Sequence, residues 1–569
     1  MNKARISKKK VFFLLFILTA VRSEAQSLLN KPVSLEVKNQ PVSSVLSAIS
    51  QQGNFYFSYN SSLIREDSLV SLSVKSKTVK QVLDMLFSGR LRYKETGNYV
   101  ILQTAFSVQS YTVSGYIMDG RTGEKISDAT IYEPQQFVSA FSDEEGFFQL
   151  TLKDKKGSAT IRVSKISYLD TGFTIMPGYD QELNIIINST PLELDPVIVY
   201  NKVEKTWLAK VFLSSRQRVQ SLNLSKFFAD KPFQFSLTPG LGTHGLMGAQ
   251  VINKFSLNIL GGYTAGVNGV EIGGLFNIVK RDVYKLQIAG IFNVVGGKVK
   301  GVQFGGIHNK VLDSVIGLQV AGFNNNVNGP LTGVQLGGIY NKVNSNVSGL
   351  QIAGAMNVAG GNAEGVQLSG LYNVTRREAK GIQISSVFNY TKKLSGVQLA
   401  LINIADTSEG YGIGLINISG SYHKLSVYSS ELAAINVAFK SGNKRLYSII
   451  NAGYRPDIHH KLFYFGFGFG REIPLSDQFS VSPEALWQYV YTGSWKDLND
   501  MIRVNLDVRY RLNKWITLFA GPSVSAYTPH QDYAIKDYQF PVPADHYSRF
   551  ALWGQTRGWI GWHAGINLF

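Results

Sequence analysis

The most regular pattern in the chain is a repeat of alternating apolar and polar positions that begins at Val270. Units such as VQFGGIHN and LQIAGAMN recur with a period of 16 residues. Alternation at every second residue predicts a β-strand, and self-similarity at a fixed period predicts a repeat architecture. The first copy carries Glu271 at its second position, and the later copies carry Gln287, Gln303, Gln319, Gln335, Gln351, Gln367 and Gln383 there.

Two architectures satisfy this alternation. In one copy, Val334 and Leu336 share an apolar face, whereas Gln335 and Asn341 share a small, amide-rich face. An antiparallel meander closed into a barrel would turn the apolar face to lipid and line a lumen with the glutamines. A parallel solenoid would bury the apolar face and show every repeat in the same orientation.

A second pattern favours the meander. The residue before the amide alternates between Val and Leu, the residue two after it alternates between Gly and Ala, and the connections alternate between two types, so the full unit is 32 residues. An up-and-down sheet requires such a strand pair, because successive turns lie at opposite ends. We therefore expect residues 233–569 to form a large antiparallel β-barrel of about 18 strands, wide enough for an aqueous channel. The β-solenoid is the alternative.

Aromatic-rich segments in the C-terminal third also support a barrel. Leu462–Gly470, Ile502–Leu512, Ile516–Ser525 and Trp559–Phe569 alternate as strands do. Together with FQFSLTPGLGTHG before the repeats and FAGPS behind them, this region resembles an uncharacterised family of outer-membrane surface-repeat proteins. The resemblance implies a location and no known activity.

Residues 26–105 are predicted to form a small α+β domain. Apolar residues recur at helical spacing after Pro41 and again after Thr78, with alternating segments before, between and after them. The order β-α-β-β-α-β resembles the secretin/TonB short N-terminal domain. In TonB-dependent receptors that domain contacts a partner such as an anti-sigma regulator.

Residues 110–190 are predicted to be all-β. The stretches VSGYIMDGRTGEKISDATI and SDEEGFFQL resemble the carboxypeptidase regulatory-like β-sandwich, with Asp143, Gly146 and Phe147 at its turn-and-strand motif. That family has no peptidase site. We therefore interpret Asp119, Glu124 and Asp143 as turn residues.

Residues 191–232 contain an acidic and then β-branched run. It resembles the TonB box that follows the same two domains in starch-utilisation-type receptors, where such a peptide can add a strand to a partner's sheet. The alternative is the last strand of the sandwich. A receptor also needs a large plug domain, and residues 201–232 are too few for one, which argues against receptor-type uptake. The TonB-box-like residues are Leu194, Asp195, Pro196, Val197, Ile198 and Val199.

The first 25 residues have the pattern of a signal peptide. Basic residues precede the apolar run Val11–Ala20, and Ser23 and Ala25 suit a signal peptidase, so we expect the mature chain to begin at Gln26. The chain has no Cys, which excludes disulfides and thiolate metal sites. Its net charge of +18 suits lipid phosphates, but its basic residues are scattered, so no nucleic-acid partner is expected.

No motif for catalysis, a cofactor or a metal stands in a suitable context. The glycine motif Gly240–Gly245 lies in an all-β region without a following helix. We therefore expect no enzyme and no cofactor. The sequence predicts a barrel in the cell outer membrane, surrounded by lipid, that acts as a channel or surface protein and is lined by the repeat glutamines. Its periplasmic domains would couple to TonB or an anti-sigma regulator. The alternative function is a surface β-solenoid that binds a protein or glycan.

Overall fold

The computed structural model describes residues 27–61, 63–87, 91–104, 110–153, 159–175, 180–190, 202–420 and 422–569. These residues fall into two compact units, one that consists mainly of the chain up to Tyr111 and one that consists mainly of the chain from Thr112 onward. Within the described residues, no helix is long and apolar enough to cross a bilayer.

The N-terminal unit is built around the two helices that the sequence predicts. The second helix begins at a capping box, in which the Gln81 N–H donates to Thr78 Oγ1 and the Thr78 N–H donates to Gln81 Oε1. Val45, Ile49 and Val82 are fully buried in its core. The elements are a 3-10 turn (Leu28–Asn30), β1 (Pro32–Pro41), α1 (Val42–Gly53), β2 (Tyr56–Ser58), β3 (Leu69–Thr78), α2 (Val79–Phe87), β4 (Leu91–Thr96) and β5 (Tyr99–Thr104).

The second unit begins with a β-sandwich of two four-stranded sheets. Alternating residues of its strands, such as Val113, Ile117, Ile161 and Val163, are fully buried between the sheets. The strands are β6 (Ser110–Asp119), β7 (Thr130–Glu133), β8 (Val138–Phe141), β9 (Phe147–Lys153), β10 (Ala159–Ser164), β11 (Thr171–Ile175), β12 (Gln181–Glu182) and β13 (Ile185–Ile187).

Two short helices, α3 (Trp207–Phe212) and α4 (Ser215–Asn223), follow a 3-10 turn (Val203–Lys205). Helix α4 joins the sandwich to the region behind it. Asn223 Nδ2 donates to the Asp128 carbonyl at 2.8 Å and to Thr130 Oγ1 at 3.0 Å. Leu224 packs with Tyr132 of the sandwich and Met247 of the following region. The sandwich is therefore fixed to that region by a buried contact.

The repeats form a parallel β-solenoid of about ten turns. Successive turns pair in parallel, so that Gln303 lies beside Gln319 and Asn309 beside Asn325. A Cβ on Gly333 would lie 2.1 Å from the carbonyl oxygen of Gly317, so glycine is required for this stacking. The strands are β14 (Ala229–Thr238), β15 (Leu241–Gly242), β16 (Val251–Asn258) after a 3-10 turn (Gly245–Gln250), β17 (Gly261–Thr264), β18 (Gly266–Gly273), β19 (Phe276–Val279), β20 (Val283–Ala289), β21 (Phe292–Val295), β22 (Val299–Gly305), β23 (His308–Val311), β24 (Val315–Ala321), β25 (Asn324–Val327), β26 (Leu331–Gly337), β27 (Tyr340–Val343), β28 (Val347–Ala353), β29 (Met356–Ala359), β30 (Ala363–Ser369), β31 (Tyr372–Ala379), β32 (Ile382–Ile384), β33 (Phe388–Leu394), β34 (Val397–Leu399), β35 (Ile402–Ser408), β36 (Tyr411–Ile413) and β37 (Ile416–Ser419).

The prediction of an antiparallel meander is therefore wrong for the repeats, and the solenoid alternative is confirmed. Successive connections of the solenoid interlock at two places. Asp282 Oδ1 accepts a hydrogen bond from the Lys298 N–H at 2.7 Å, and a Cβ on Gly297 would lie 2.2 Å from that oxygen. Asn346 and Gly361 repeat this arrangement four turns later. In each case, one connection between strands supplies the acceptor side chain, and the connection one turn later supplies the glycine that leaves room for it.

The solenoid also differs from expectation in the face that it buries. The amides point inward, where they accompany a cluster of buried valines, whereas apolar residues such as Phe304, Ile307 and Leu368 are exposed. Burial of the amides is tolerated because identical side chains one turn apart satisfy each other's hydrogen bonds. The expectation that the solenoid buries its apolar face is wrong.

The C-terminal region forms a closed barrel of eight antiparallel strands. Closure is made by β38 and β47, which pair from Leu425 and Leu568 to Ser430 and His563. The prediction of one barrel of about 18 strands over residues 233–569 is wrong, because among the residues that the structure describes only those from 423 onward contribute to it. The strands are β38 (His423–Ser430), β39 (Ile435–Gly442), β40 (Tyr447–Arg455), β41 (Leu462–Gly470), β42 (Ile473–Pro474), β43 (Phe479–Tyr491), β44 (Asp500–Arg511), β45 (Ile516–Thr528), β46 (Phe550–Ala551) and β47 (Arg557–Leu568), of which β42 and β46 are short additions outside the closed ring.

Candidate functional site

The glutamines that the sequence assigned to a barrel lumen form a hydrogen-bonded ladder inside the solenoid. Gln303 Nε2 donates to Gln287 Oε1 at 2.7 Å, and Gln319 Nε2 donates to Gln303 Oε1 at the same distance. The contact recurs in each following turn as far as Gln398. These side chains are buried and their amides satisfy one another, so they do not line a barrel lumen. The ladder comprises Gln287, Gln303, Gln319, Gln335, Gln351, Gln367, Gln383 and Gln398.

A second ladder of asparagines runs in the opposite direction. Asn309 Nδ2 donates to Asn325 Oδ1 at 2.9 Å, one turn further along the chain, and also to the Val320 carbonyl at 2.7 Å. The same pair of bonds recurs from Asn277 to Asn403. Because the glutamines donate toward the N-terminal end and the asparagines toward the C-terminal end, the dipoles of the two rows oppose each other.

Glu271 and Asn258 join the two ladders at the N-terminal end. Glu271 Oε2 accepts from Gln287 Nε2 at 2.8 Å, and its Oε1 accepts from Asn258 Nδ2 at 3.2 Å. Asn258 also donates to Asn277 Oδ1 at 2.9 Å. Burial raises the pKa of Glu271 to about 7, although hydrogen bonds from Gln287 and Asn258 act in the opposite direction. The carboxyl group is thus a buried end point of the ladder.

The barrel turns apolar side chains outward and polar side chains inward. On β44, Ile502 and Val504 are exposed by 50% and 49%, whereas Arg503 between them is exposed by 2%. The outward residues of the other strands continue this apolar surface. They include Val427, Val437, Phe439, Phe465, Phe467, Trp487, Leu506, Val508, Leu518, Val524, Ile560 and Trp562.

The interior of the barrel is filled by ion pairs. Arg509 contacts Glu472 at 3.1 Å, Glu484 at 2.7 Å and Asp507 at 3.1 Å. Lys440 contacts the last two of these carboxylates as well. A barrel of eight strands has an interior just wide enough for side chains to fill. These side chains therefore fill the lumen, and each charge is compensated by an opposite charge beside it.

A second ion pair lies toward the other end of the interior. Arg503 Nη2 donates to Glu431 Oε2 at 2.7 Å. Trp559 Nε1 donates to the same carboxylate at 3.0 Å. None of these interior residues was predicted from the sequence, although the alternation of Arg503, Asn505, Asp507 and Arg509 with apolar residues is visible in the chain.

One end of the barrel caps the solenoid. The β39–β40 hairpin lies against the last turns, where Asn443 Nδ2 donates to Ser408 Oγ at 2.9 Å and to the Gly410 carbonyl at 2.8 Å. The Asn417 N–H donates to Ser441 Oγ at 3.1 Å. This contact covers the C-terminal edge of the solenoid, which would otherwise expose unpaired backbone groups.

The predicted turn residues of the sandwich are confirmed as such. Asp143 Oδ1 accepts from the N–H groups of Glu145 and Phe147, and Asp119 Oδ1 accepts from those of Arg121 and Thr122. The TonB-box-like segment Leu194–Val199 and the predicted signal peptide lie outside the described residues.

Comparison with known proteins identifies one part of the chain. No curated protein matches the sequence significantly. Residues 113–199 match the family of the CarboxypepD_reg-like domain, in agreement with the β-sandwich that the structure places there.

Proposed function

We propose that the chain is a non-conducting anchor protein of the bacterial outer membrane. Its barrel spans the bilayer and holds the solenoid and the CarboxypepD_reg-like domain as a binding scaffold. The observation that carries the proposal is the closed barrel with an apolar outer surface and a polar interior, which is the arrangement of transmembrane barrels. A barrel in water would have the opposite arrangement.

The ion-paired interior favours an anchor over a channel. Arg509 and its three carboxylates occupy the lumen near one end, and Arg503 with Glu431 occupies it toward the other. Removing one partner of such a buried pair costs about 3–5 kcal/mol. The interior is therefore occupied by stably paired side chains, which favours an anchor without a water path.

The loops between the barrel strands indicate which side of the membrane the scaffold occupies. At the end of the barrel that caps the solenoid, the strands are joined by short turns such as 443–446 and 512–515. The first strand of the barrel begins there and the last strand finishes there. The opposite end carries longer loops, of which 529–549 is the longest. Transmembrane barrels have short periplasmic turns and longer extracellular loops. A periplasmic scaffold would also allow residues 194–199 to meet a TonB-type partner and the N-terminal domain to meet an anti-sigma regulator.

Cysteine labelling tests both the anchor and its orientation, because the chain has no Cys of its own. Lys536 lies in the long loop and Lys300 on the solenoid, and both are exposed. In intact cells, a membrane-impermeant maleimide should label the Lys536→Cys protein. The Lys300→Cys protein should react only after the outer membrane is permeabilised.

Labelling of both variants in intact cells would place the solenoid on the cell surface and overturn the periplasmic assignment. Recovery of the protein in the soluble fraction, without the change in gel migration on boiling that is typical of membrane barrels, would overturn the anchor itself.

A further inference from the structure

A groove beside helix α3 has the features of a ligand site that the proposed function does not use. It has a volume of about 580 Å³. Its floor is the outer face of strands β23 and β25, and Tyr340 lies at its far end. Trp207 forms part of the wall and is exposed by 69%. A pocket lined by aromatic rings with a few convergent polar groups is the usual form of a small-molecule site.

The helix that carries Trp207 is firmly held. Phe212 packs against the rings of Phe276 and Phe292, with centroids 4.7 and 5.1 Å away, and Leu208 is buried against the same face of the solenoid. The exposure of Trp207 is therefore not a consequence of a loosely attached helix. Its ring is presented to solvent at the edge of the groove on a fixed support.

The floor of the groove carries positive charge and amides. Lys310 Nζ donates to Asn326 Oδ1 at 2.7 Å and to Asn328 Oδ1 at 2.8 Å. Among the described residues no carboxylate lies within 4 Å of this ammonium group. An ammonium has three donors, so one remains for a ligand. Burial and, to a lesser extent, the nearby Lys342 lower the pKa of Lys310 to about 8. A bound anion would raise this pKa again.

His308 adds a further polar group to the floor. Its Nδ1 lies 2.9 Å from Asn324 Oδ1, which fixes the ring and leaves Nε2 for another partner. Both residues line the groove. The floor can thus donate hydrogen bonds at several points without a nearby acid to repel an anion.

We infer that this groove binds an anionic saccharide. The face of a pyranose ring presents C–H groups that pack on an aromatic ring, as on Trp207 and Tyr340. Hydroxyl groups suit the asparagine amides and the imidazole, and a carboxylate or phosphate group suits Lys310. Neither a purely apolar ligand nor a cation would satisfy the uncompensated ammonium. The inference does not depend on which side of the membrane the scaffold occupies.

Calorimetric titration of the full chain in detergent tests the inference. Trigalacturonate should bind and neutral maltotriose should not. Lys310→Gln and Trp207→Ala should each weaken binding by about tenfold or more, as expected for a central contact. Lys300→Gln on another face of the solenoid and Trp553→Ala in a barrel loop serve as matched controls, because both side chains are exposed, and should leave binding unchanged.

Two further probes distinguish the sources of such a ligand. Soluble muropeptides carry carboxylates as their anionic groups, whereas the core oligosaccharide of lipopolysaccharide carries phosphates as well, and tighter binding of one identifies the source. If no acidic probe binds, the inference is wrong. It is equally overturned if maltotriose binds as well as trigalacturonate, or if the Lys300→Gln control loses as much affinity as Lys310→Gln.

Discussion

The Oε2 atom of Glu271 accepts a hydrogen bond from Gln287 Nε2 at 2.8 Å, and this contact sets the direction of the whole glutamine ladder. Both carboxyl oxygens of Glu271 act as acceptors, Oε2 from Gln287 and Oε1 from Asn258. Gln287 must therefore donate toward it, and its own Oε1 then accepts from Gln303. One acid in the first copy of the repeat thus orients the glutamine amides behind it.

Glu271 should make the stability of the solenoid depend on pH. Burial raises its pKa from 4.5 to about 7 in the folded chain. Because the folded chain binds this proton more tightly than the unfolded chain, protonation of Glu271 stabilises the fold. This contribution is fully present below pH 4.5 and is lost as the pH rises through 7. The pKa difference corresponds to about 3 kcal/mol. We expect the unfolding free energy to fall between pH 5 and pH 8, and Glu271→Gln to remove about that much of the fall.

Urea unfolding of the full chain in detergent at the two pH values measures this difference. The exposed Glu364 lies on the same solenoid, so Glu364→Gln is the matched control and should keep the wild-type pH profile. A Glu271→Gln profile identical to that of the wild type would show that the carboxyl group is not the titrating group.

A break in the middle of the ladder should destabilise the solenoid. Replacing Gln335 by Leu leaves Gln319 Oε1 without its donor and Gln351 Nε2 without its acceptor, and both are buried. An unsatisfied buried polar group costs about 1–3 kcal/mol, so we expect a loss of about 2–6 kcal/mol. Hydrogen exchange of the neighbouring strand amides measures it. The exposed Thr332 on the same strand provides the control Thr332→Ala, and equal exchange in both variants would contradict the argument.

The Arg503–Glu431 pair should stabilise the barrel only as long as both partners are present. Arg503→Met leaves Glu431 buried without its cation, which costs about 3–5 kcal/mol. Adding Glu431→Gln should recover part of the loss, because a neutral amide can still accept from Trp559 Nε1. Urea unfolding in detergent, followed by tryptophan fluorescence, measures both variants. A double variant no more stable than Arg503→Met would show that the two side chains are not coupled.

The sequence predicted the strands of the repeat but not their direction. Alternation at Val334, Gln335 and Leu336 only states that neighbouring residues face opposite sides, which holds in parallel and antiparallel sheets alike. The stronger signal was the unbroken glutamine at each 16-residue step. A lumen does not require identical residues, whereas an in-register parallel stack gains a hydrogen bond from each of them.

The groove and the barrel interior could not be predicted from the sequence, for a different reason. Trp207 and Lys310 are far apart in the sequence, and the packing of Phe212 and Leu208 on the solenoid brings helix α3 to the groove. The strands of the barrel, in contrast, were largely visible, since Leu462–Gly470 coincides with β41. Their number was wrong because the solenoid strands were counted with them.

The segment Leu194–Val199 remains predicted to be a docking strand for a TonB-type partner. It lies outside the described residues, and the last described strand before it is β13, which ends at Ile187. The match to the CarboxypepD_reg-like family extends to residue 199, which favours the alternative of a final sandwich strand. Pro196 argues against that alternative, because it lacks the N–H that a paired strand donates.

Substituting Val197 and Val199 by Pro in the full chain separates these roles. For a docking strand, binding of a TonB C-terminal domain should be abolished, because each Pro removes a backbone donor from the added strand, while thermal unfolding stays unchanged. A matched variant with Ala at both positions keeps the donors and should retain most of the binding. If the Pro variant unfolds at a lower temperature, the segment is a strand of the sandwich. If the wild-type chain does not bind TonB at all, the docking role is refuted, in keeping with the absence of room for a plug between residues 201 and 232.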